Sequence, residues 1–474
     1  MIDALVVGSG PNGLAAAIRL AQAGKSVRVY EAQEAIGGGL RSAELTTTGS
    51  VHDVCATVFA TALESPFLNT LPLATFGAEF VHPEIPFAHP LDDGTAVVAQ
   101  RSVDATADGL DRDDASTYRA LMSPLVAAHG PLMETLFAPL AGTAGLRQPC
   151  FMASFGRDAI WSASGLARSR FRGERARALF AGAAAHSLVP LEFAATAGYG
   201  LALVLTAHSV GWPVARGGSQ RIADAMAAYL RTLGGEIVTG ERIESLAQLP
   251  PHRAVLCDVS PSAFVRMAGD RLTASYRTRL EKFRRGPGVF KMDWTLSSAV
   301  PWRAAECRRA GTLHLGGTLA EIAESERGPW NGRISERPYV LVVQPTVFDS
   351  SRAPAGRHTL WAYCHVPNDS PIDMSSVIES EIERSAPGFR ECVIARHAMG
   401  PSAMEARNAN ILGGDIAGGA ADFAQILARP VFAADPYKTP IDGVYLCSSS
   451  TPPGVGVHGM CGYHAAQSAL RFLR

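Results

Sequence analysis

The chain has 474 residues, of which 47% are hydrophobic and 18% charged, and its formal net charge is -1. This length exceeds one compact core and predicts about two or three domains. The balanced charge gives no indication of nucleic-acid binding or of an acidic substrate. The cysteines form no Cys-x-x-Cys pair, which indicates neither a zinc ribbon nor a redox dithiol, so buried free thiols in a reducing cytoplasm are the favoured interpretation.

The first stretch, residues 1–42, predicts a strand, a glycine turn, a helix and a second strand in succession. The apolar strand over residues 2–7 leads directly into a G-x-G-x-x-G motif, Gly8-Ser9-Gly10-Pro11-Asn12-Gly13. Gly8 permits the tight turn, Gly10 lets the backbone approach a pyrophosphate, and Gly13 lets the helix pack closely on the strand. The helix N-terminus, opened by Pro11, then faces the anion, which predicts dinucleotide binding.

Two further features follow this unit. The strand over residues 26–30 ends at Glu31, about 20 residues after the glycines, where a carboxylate can accept hydrogen bonds from ribose hydroxyls. A second glycine cluster, Gly37-Gly38-Gly39, lets a loop run beside a diphosphate, with Arg41 placed to contact phosphate. A surface turn with a solvated arginine is the alternative interpretation of this cluster.

Residues 111–207 predict a mainly helical segment that follows a stretch of short strands. The helices predicted over residues 174–186 and 192–208 are apolar. They either fill a core, which is the commoner role of such helices, or line an apolar cavity or a membrane-facing entrance. The most apolar run, residues 193–207, is shorter than the ~20 residues that span a membrane. Because the nucleotide motif begins at once, we expect no signal peptide and a cytoplasmic protein, with peripheral membrane contact left open.

The chain then returns to the first domain. A helix over residues 221–233 and strands over 236–239, 242–246 and 253–258 predict this return. Alternating segments between residues 289 and 365 predict an antiparallel sheet, covered by helices over 374–384 and 387–395. A strand at 445–447, a small-residue loop at 448–459 and a helix at 460–473 form a second unit whose helix N-terminus is open to a polar ligand.

Several of these motifs, in this order, resemble the phytoene-desaturase-like branch of the FAD-dependent oxidoreductases, within the flavin amine oxidase superfamily. The resemblance extends over nearly the whole chain and rests on residues 7–14, Glu31, Gly37-Gly38, Gly211-Trp212-Pro213, Gly217-Gly218, residues 240–244, residues 290–294, Pro301-Trp302, residues 410–415, Arg429-Pro430 and residues 453–459. The chain departs from the family in two places: Arg41 comes two residues later than in many relatives, and Ser448 replaces a common glycine.

The resemblance implies an α/β protein of two domains. A discontinuous Rossmann-like FAD domain would comprise residues 1–75, 210–275 and 425–474. An α+β substrate domain would comprise residues 76–209 and 276–424, with a helical part over about 111–208 and an antiparallel sheet over about 289–365. The cofactor contacts implied are Gly8, Gly10, Pro11, Asn12, Gly13, Glu31, Ala32, Gly38, Gly39, Arg41, Ile243, Ser449, Gly456, Val457 and His458.

Within that family the flavin supplies the redox chemistry, and the protein supplies binding and orientation. We expect dehydrogenation of a largely apolar small molecule by hydride transfer to flavin N5, with one protein base and no metal. His458 lies in the flavin-side loop and is the favoured base, while a packing role within the loop is the alternative. The other residues considered are Tyr463 and His464, His186 and His208 as core histidines, Trp212 as a pocket wall or core residue, and Asp293 as a solvated strand residue.

Three other functions stay open from the sequence. An amine oxidase shares both cofactor motifs, and an acidic or aromatic cage would favour it. A flavin-dependent isomerase uses reduced flavin without net oxidation. A non-catalytic FAD-binding protein would lack an open cavity beside the flavin. The sequence also leaves the electron acceptor open between oxygen, a quinone and another oxidant.

Overall fold

The structure is a computed structural model that describes residues 1–139 and 149–474. Its described strands are β1 Ile2–Val7, β2 Val27–Tyr30, β3 Ser42–Glu44, β4 Val51–Asp53, β5 Phe80–Val81, β6 Ile85–Pro90, β7 Ala96–Ala99, β8 Val214–Ala215, β9 Glu236–Val238, β10 His252–Cys257, β11 Gly288–Leu296, β12 Ala310–Leu315, β13 Val340–Val343, β14 His358–Val366, β15 Val393–Met399 and β16 Val444–Leu446.

The described α-helices are α1 Pro11–Gln22, α2 Ala60–Leu63, α3 Val103–Asp108, α4 Arg112–Ala127, α5 His129–Leu136, α6 Pro149–Ala159, α7 Ala163–Arg170, α8 Glu174–Ala184, α9 Thr196–Ser209, α10 Gln220–Thr232, α11 Pro261–Ala268, α12 Ala274–Glu281, α13 Leu319–Trp330, α14 Ser375–Ser385, α15 Phe389–Cys392, α16 Pro401–Arg407, α17 Phe423–Leu427 and α18 Met460–Phe472. The mainly helical character predicted for residues 111–207 is confirmed, except over residues 140–148, which lie outside the described part.

A parallel sheet organises the nucleotide side of the molecule. Its order is β16-β10-β1-β2-β9, so the two ends of the chain and its middle contribute neighbouring strands. Val7 at the end of β1 pairs with Tyr30 of β2 and Cys257 of β10. The residues that follow these three strands therefore meet at the carboxyl edge of the sheet, which is where ligands bind in open α/β folds.

Helix α1 packs on this sheet and against α18 at short range. A Cβ atom at Gly462 would lie only 1.8 Å from the carbonyl oxygen of Asn12, so glycine is required at this crossing. Likewise, a Cβ atom at Gly13 would lie 2.1 Å from the carbonyl oxygen of Gly8. This confirms the close helix–strand packing that the motif predicts.

A second sheet of seven strands lies beside the first, in the order β15-β11-β14-β13-β12-β6-β7. The sequence predicts an antiparallel sheet here, but the sheet is mixed, because β12 and β6 pair in parallel. Sequence analysis did not predict strand β6, because its two prolines and one histidine are not typical of a strand. The whole of β11 is buried, which is expected for the middle of a sheet covered on both faces.

Two other segments differ from their predictions. Residues 242–246, predicted as a strand, instead form a loop that ends at Leu246, the first residue of a short 3-10 helix. The chain leaves the sheet just before this segment, where the backbone N–H groups of Gly240 and Glu241 bond to the carbonyl oxygens of Gln33 and Glu31. Residues 387–395, predicted as a helix, form the short helix α15 and then enter β15, whose alternating burial shows one exposed face.

A buried ion triad ties the end of β4 to the segment between β13 and β14. The Arg352 guanidinium, fully buried, lies 3.0 Å from the Asp53 carboxylate and 3.2 Å from that of Asp349. Burial raises the pKa of the Asp53 carboxyl, but Arg352 more than offsets this and holds it below its usual value. Asp53 also accepts hydrogen bonds from the backbone N–H and hydroxyl of Ser219, which precedes α10.

We expect Arg352→Met to lower the free energy of unfolding by about 3–5 kcal/mol, because two buried carboxylates would lose their counter-charge. Denaturant unfolding measures this loss. The matched control is Arg309→Met, which breaks an exposed pair with Glu84 and is expected to cost at most about 1 kcal/mol. Equal losses in the two variants would contradict the structural role of the triad.

Candidate functional site

One large cavity of about 870 Å³ opens at the carboxyl edge of the parallel sheet and continues between the second sheet and the helices. All the cofactor contacts predicted from the sequence line it except Gly13 and His458; those that line it are Gly8, Gly10, Pro11, Asn12, Glu31, Ala32, Gly38, Gly39, Arg41, Ile243, Ser449, Gly456 and Val457. The three separate stretches of the predicted discontinuous site therefore border one space.

The glycine turn is held by the carboxylate of Glu31. Its Oε2 accepts from the backbone N–H of Ser9 at 3.0 Å and from the Ser9 hydroxyl at 2.5 Å, and its Oε1 accepts from the N–H of Gln33 at 3.0 Å. Glu31 is buried at the end of β2 and borders the cavity. It thus fixes the turn while it faces the space where a ribose would lie.

A second carboxylate, Asp258, holds the other side of the same turn. It follows β10, and its Oδ2 accepts from the backbone N–H of Gly13 at 2.9 Å, at the N-terminus of α1. A Cβ atom at Gly10 would lie 2.7 Å from the same oxygen, so only glycine fits there. Burial, opposed by the Gly13 N–H, raises the pKa of Asp258 to about 7, and the nearby charge of Glu31 adds to this rise.

Positive groups complete the nucleotide half of the cavity. Arg41 donates only to the carbonyl oxygen of Gly38, at 3.1 Å, and burial lowers the pKa of its guanidinium. Arg407, on α16, borders the same space. Neither arginine forms an ion pair within the described residues. Two guanidinium groups that lack an ion-pair partner among the described residues, beside a glycine cradle and a helix N-terminus, fit the diphosphate of a dinucleotide.

The other half of the cavity lies over one face of the seven-stranded sheet. Side chains alternate between faces along a strand, and the register places Lys291, Tyr363 and Leu341 in one row across β11, β14 and β13. Trp361 and Thr312 lie in the neighbouring row and also border the cavity. Opposite them stand Tyr199, Ala202, Leu203 and Thr206 of α9, with Trp212 and His186.

Lys291 is the only lysine among the described residues of the cavity wall, and it is buried with a partner. Its ammonium donates to Asp293 on the same strand and lies 5.6 Å from the ring centroid of Trp361. Burial lowers the pKa of Lys291, and burial raises the pKa of Asp293 to about 6, so both shifts favour the neutral form of the pair. The sequence interpretation of Asp293 as a solvated residue is wrong, because its carboxylate is fully buried.

His458 lies behind the cavity wall rather than on it. Its Nδ1 accepts from the backbone N–H of Met460 at 3.0 Å, and its Nε2 lies 3.2 Å from the carbonyl oxygen of Gly454. Burial lowers the pKa of the ring to about 4. The catalytic role of His458 stays a prediction, and the geometry favours its alternative role, which is to hold the loop that carries Gly456 and Val457.

The remaining residues considered from the sequence divide between wall and core. Trp212 lines the cavity, and its indole N–H donates to the Thr206 hydroxyl at 3.0 Å. His208 lies in the core, 2.7 Å from the Tyr118 hydroxyl. Tyr463 packs on Phe67, and His464 lies 2.8 Å from the carbonyl oxygen of Phe137; neither borders the cavity.

Sequence reasoning assigned no role to several side chains of the cavity wall. They are Lys291, Trp361 and Tyr363 on the second sheet, and Asp258 after β10. One signal was present: a lysine within an otherwise apolar run, Val289 to Leu296, marks a charge that must be buried with a partner if the run is an interior strand. Their convergence depends on strand register, which a single sequence does not show.

Three comparisons with known proteins agree with this architecture. Residues 6–71 match the family model of the NAD(P)-binding Rossmann-like domain. The whole chain is 25% identical to pyridine nucleotide-disulfide oxidoreductase domain-containing protein 2 of Mus musculus and covers 94% of it. It is 26% identical to a neurosporene-forming phytoene desaturase of Rhodobacter capsulatus over 52% of this chain and 51% of that protein. A solved putrescine oxidase double mutant superposes with a TM-score of 0.62 at 17% identity, over 99% of this chain and 98% of that one.

The chain therefore contains a Rossmann-like nucleotide-binding domain, and its α/β architecture with mixed sheets has the flavin amine oxidase-like fold. The finer resemblance to phytoene desaturases extends over about half of the chain, 52%. Within residues 1–139 and 149–474, no helix has the length and apolar character to cross a membrane. The same residues contain no cluster of three or more metal-ligating side chains.

We expect the stability of the protein to fall as the pH rises from about 4 to about 7, through the ionisation of Asp258. The folded state holds this proton more tightly than the unfolded chain, whose aspartates have a pKa of about 3.9, so the stabilisation is complete below about pH 4 and is lost as the pH passes about 7. Asp258→Asn, which stays neutral and keeps an oxygen for Gly13, should lessen this decline. Thermal unfolding from pH 4 to pH 8 compares the two proteins, and parallel curves would contradict the assignment.

Proposed function

We propose that this protein is an FAD-dependent oxidoreductase that dehydrogenates a largely apolar small molecule in the cytoplasm. The observation that carries the proposal is the continuity of the cavity, which joins a dinucleotide cradle to an apolar wall containing one buried lysine–aspartate pair. When bound, FAD would accept a hydride from a substrate C–H bond at N5. The likeness in sequence to oxidoreductases and a desaturase supports this class of reaction.

The residues present fit FAD in separable roles. Glu31 would accept from the ribose, the N-terminus of α1 with Arg41 and Arg407 would face the diphosphate, and the loop at Gly456 and Val457 would border the flavin end. Ile243 lies on the loop beside Glu31 and would contact adenine. Asp258 is most compatible with a diphosphate in its protonated state, because a second negative charge at the turn would repel the phosphates.

Lys291 is the better candidate for the proton acceptor. Lys291 lines the cavity, and burial favours its neutral form, which can accept a proton. Asp293 holds the amine in place, while His52, whose Nδ1 lies 3.5 Å from Asp293, backs that carboxylate. A dehydrogenation releases one proton with each hydride, and Lys291 Nζ would receive that proton before it passes to solvent.

The wall opposite and beside Lys291 favours an uncharged, mostly apolar substrate. Among the described residues that the sheet face and α9 contribute to the wall, none is a carboxylate; they are Val289, Lys291, Thr312, Leu341, Trp361, Tyr363, Tyr199, Ala202, Leu203 and Thr206. A cationic amine would find no counter-charge there apart from Asp293, which already pairs with Lys291.

An amine oxidase is the second candidate, because Trp361 and Tyr363 form an aromatic pair with ring centroids 5.2 Å apart on the same wall. Aromatic faces attract cationic amines.

The reaction products distinguish the candidate functions: an amine oxidase releases peroxide and an imine, a desaturase releases a product two hydrogens lighter, and an isomerase leaves the mass unchanged. A protein that binds FAD but converts nothing would be a non-catalytic carrier. The electron acceptor, whether oxygen, a quinone or another oxidant, can be identified by which one reoxidises the reduced protein.

The cofactor assignment has a direct test. We expect the purified protein, after addition of FAD, to show a bound flavin absorbance band, and Glu31→Ala to weaken FAD binding by about tenfold or more, because both the ribose contact and the support of Ser9 are lost. Glu44→Ala, at an exposed carboxylate on β3, is the control and should bind FAD normally. The absence of a bound flavin band in the wild-type protein would refute the proposed function.

The proton acceptor is tested with an apolar small molecule that reduces the bound flavin of the wild-type protein. We expect Lys291→Met to keep its FAD but to bleach the flavin band about 100-fold more slowly in a single turnover. Lys282→Met, at an exposed lysine, is the control.

His458→Asn tests the alternative base. An asparagine amide can still accept from the Met460 N–H, so the loop is kept and the bleaching rate should stay within about threefold of the wild type. If His458→Asn instead loses about 100-fold with FAD bound, while Lys291→Met does not, the histidine is the base.

A further inference from the structure

His186 is a histidine that the proposed reaction does not use. It follows α8 and lines the cavity wall beside Trp212. Its Nε2 lies 3.1 Å from Nε2 of His314 on β12, and its ring centroid lies 5.3 Å from that of Trp212. The ring is therefore held by packing and by one hydrogen bond.

The second nitrogen of this ring, Nδ1, makes no hydrogen bond within residues 1–139 and 149–474. His186 lines the cavity and keeps accessible surface, so a ligand there can reach this ring. By contrast, Nδ1 of His314 has no partner and is fully enclosed. A fixed polar atom on an otherwise apolar wall is the kind of group that orients a ligand.

The two histidines determine each other's protonation. One of the two facing Nε2 atoms must donate to the other. A buried N–H without an acceptor is rarer in proteins than an acceptor without a donor, so the enclosed Nδ1 of His314 should carry no proton. His314 then donates from Nε2, and His186 carries its proton on Nδ1, directed at the cavity.

The register of the second sheet gives the distance between Lys291 and His314, the partner of His186. Lys291, Tyr363, Leu341 and His314 are cross-strand neighbours in one row of the sheet. Three strand spacings separate Lys291 from His314, which is about 14 Å. Cys55 lies next to Gly39, and Lys291 is near enough to Cys55 for its positive charge to act on the pKa of the thiol. Lys291 therefore lies at the glycine-cluster end of this row. Leu341 and Leu203 line the space between the two ends.

We propose that His186 is a specificity-determining residue whose Nδ1–H donates to a neutral oxygen acceptor, a carbonyl or a hydroxyl, on an elongated and otherwise apolar substrate. The oxygen lies beside the His314 end of the row, and His314 itself is three strand spacings, ~14 Å, from Lys291. This assignment rests on the proposed function only for the identity of the reaction, since the cavity and the donor are features of the chain itself.

The chemistry of the donor excludes an ammonium group at this end. An ammonium offers only N–H donors, and the His186 Nδ1–H cannot accept from it. Burial, together with the nearby His365, lowers the pKa of His186 to about 3, so the ring stays neutral at ordinary pH and offers no charge to a carboxylate.

Two amide substitutions separate the cavity role of His186 from its structural role. A glutamine amide reaches the position of Nε2, so His186→Gln keeps the bond to His314 and removes the group that faces the cavity. An asparagine amide reaches the position of Nδ1, so His186→Asn does the reverse. His89→Gln is the matched control, because His89 is a buried histidine with its Nε2 bonded to the Gly317 carbonyl, its Nδ1 unpartnered and no contact with the cavity.

Isothermal titration calorimetry with the FAD-saturated protein compares three probes of one skeleton: the ketone undecan-2-one, its alkene isostere 2-methylundec-1-ene and protonated undecan-2-amine. We expect the wild type and His89→Gln to bind the ketone about tenfold more tightly than the alkene, His186→Asn to keep most of that preference, and His186→Gln to lose it. The ammonium probe should bind more weakly than the ketone.

The proposal is overturned by a wild-type protein that does not distinguish ketone from alkene, including one that binds neither. It is also overturned if His186→Gln keeps the preference or if the ammonium binds most tightly. Failure of the proposed function is seen separately, as the absence of a bound flavin band, and the ketone-to-alkene ratio is then measured on the flavin-free protein. Thermal unfolding of each variant confirms that a lost preference does not come from a lost fold.

Discussion

The N-terminus of α1 depends on two carboxylates that hold the glycine turn from opposite sides. Glu31 binds Ser9 from the end of β2, and Asp258 binds Gly13 from the end of β10. Both arrive because three parallel strands end at one edge of the sheet. This convergence directs the free N–H groups of the helix into the cavity, and everything assigned to the nucleotide half follows from it. The cost is a high density of negative charge, which the raised pKa of Asp258 relieves.

The second half of the cavity is built on a different constraint, the two-residue period of strands. One face of the seven-stranded sheet carries Lys291, Tyr363, Leu341 and His314 in a single row, and each comes from a different strand. Charge is confined to one end of that row by the pairing of Lys291 with Asp293, while the other end is polar but neutral. A long apolar molecule with one oxygen would match this gradient, and an amine would not.

The nucleotide half was largely predictable from the sequence. Its residues lie in contiguous motifs, and the physics that selects them is local: a turn that needs glycine, a helix that needs a free N-terminus, an acid one strand later. Residues 242–246 show where this reasoning stops. They have the pattern of a strand, but the parallel sheet already ends at β9, and the residues just before them, Gly240 and Glu241, bond to the loop after β2 instead. His458 shows the same limit, because its sequence position beside the flavin loop does not reveal that both ring nitrogens bond within that loop.

By itself the sequence determined the Rossmann-like nucleotide fold and the α/β architecture, and it predicted a dinucleotide site assembled from three stretches, because these properties reside in the order and spacing of local motifs. Only the tertiary structure decided which side chains face the cavity. Lys291 and His314 gain their roles from strand register, and His186 gains its role from packing against His314, relations between residues up to 128 positions apart. Long-range pairing of this kind leaves no pattern in a single sequence, since the same alternating strand fits several registers until the whole sheet selects one.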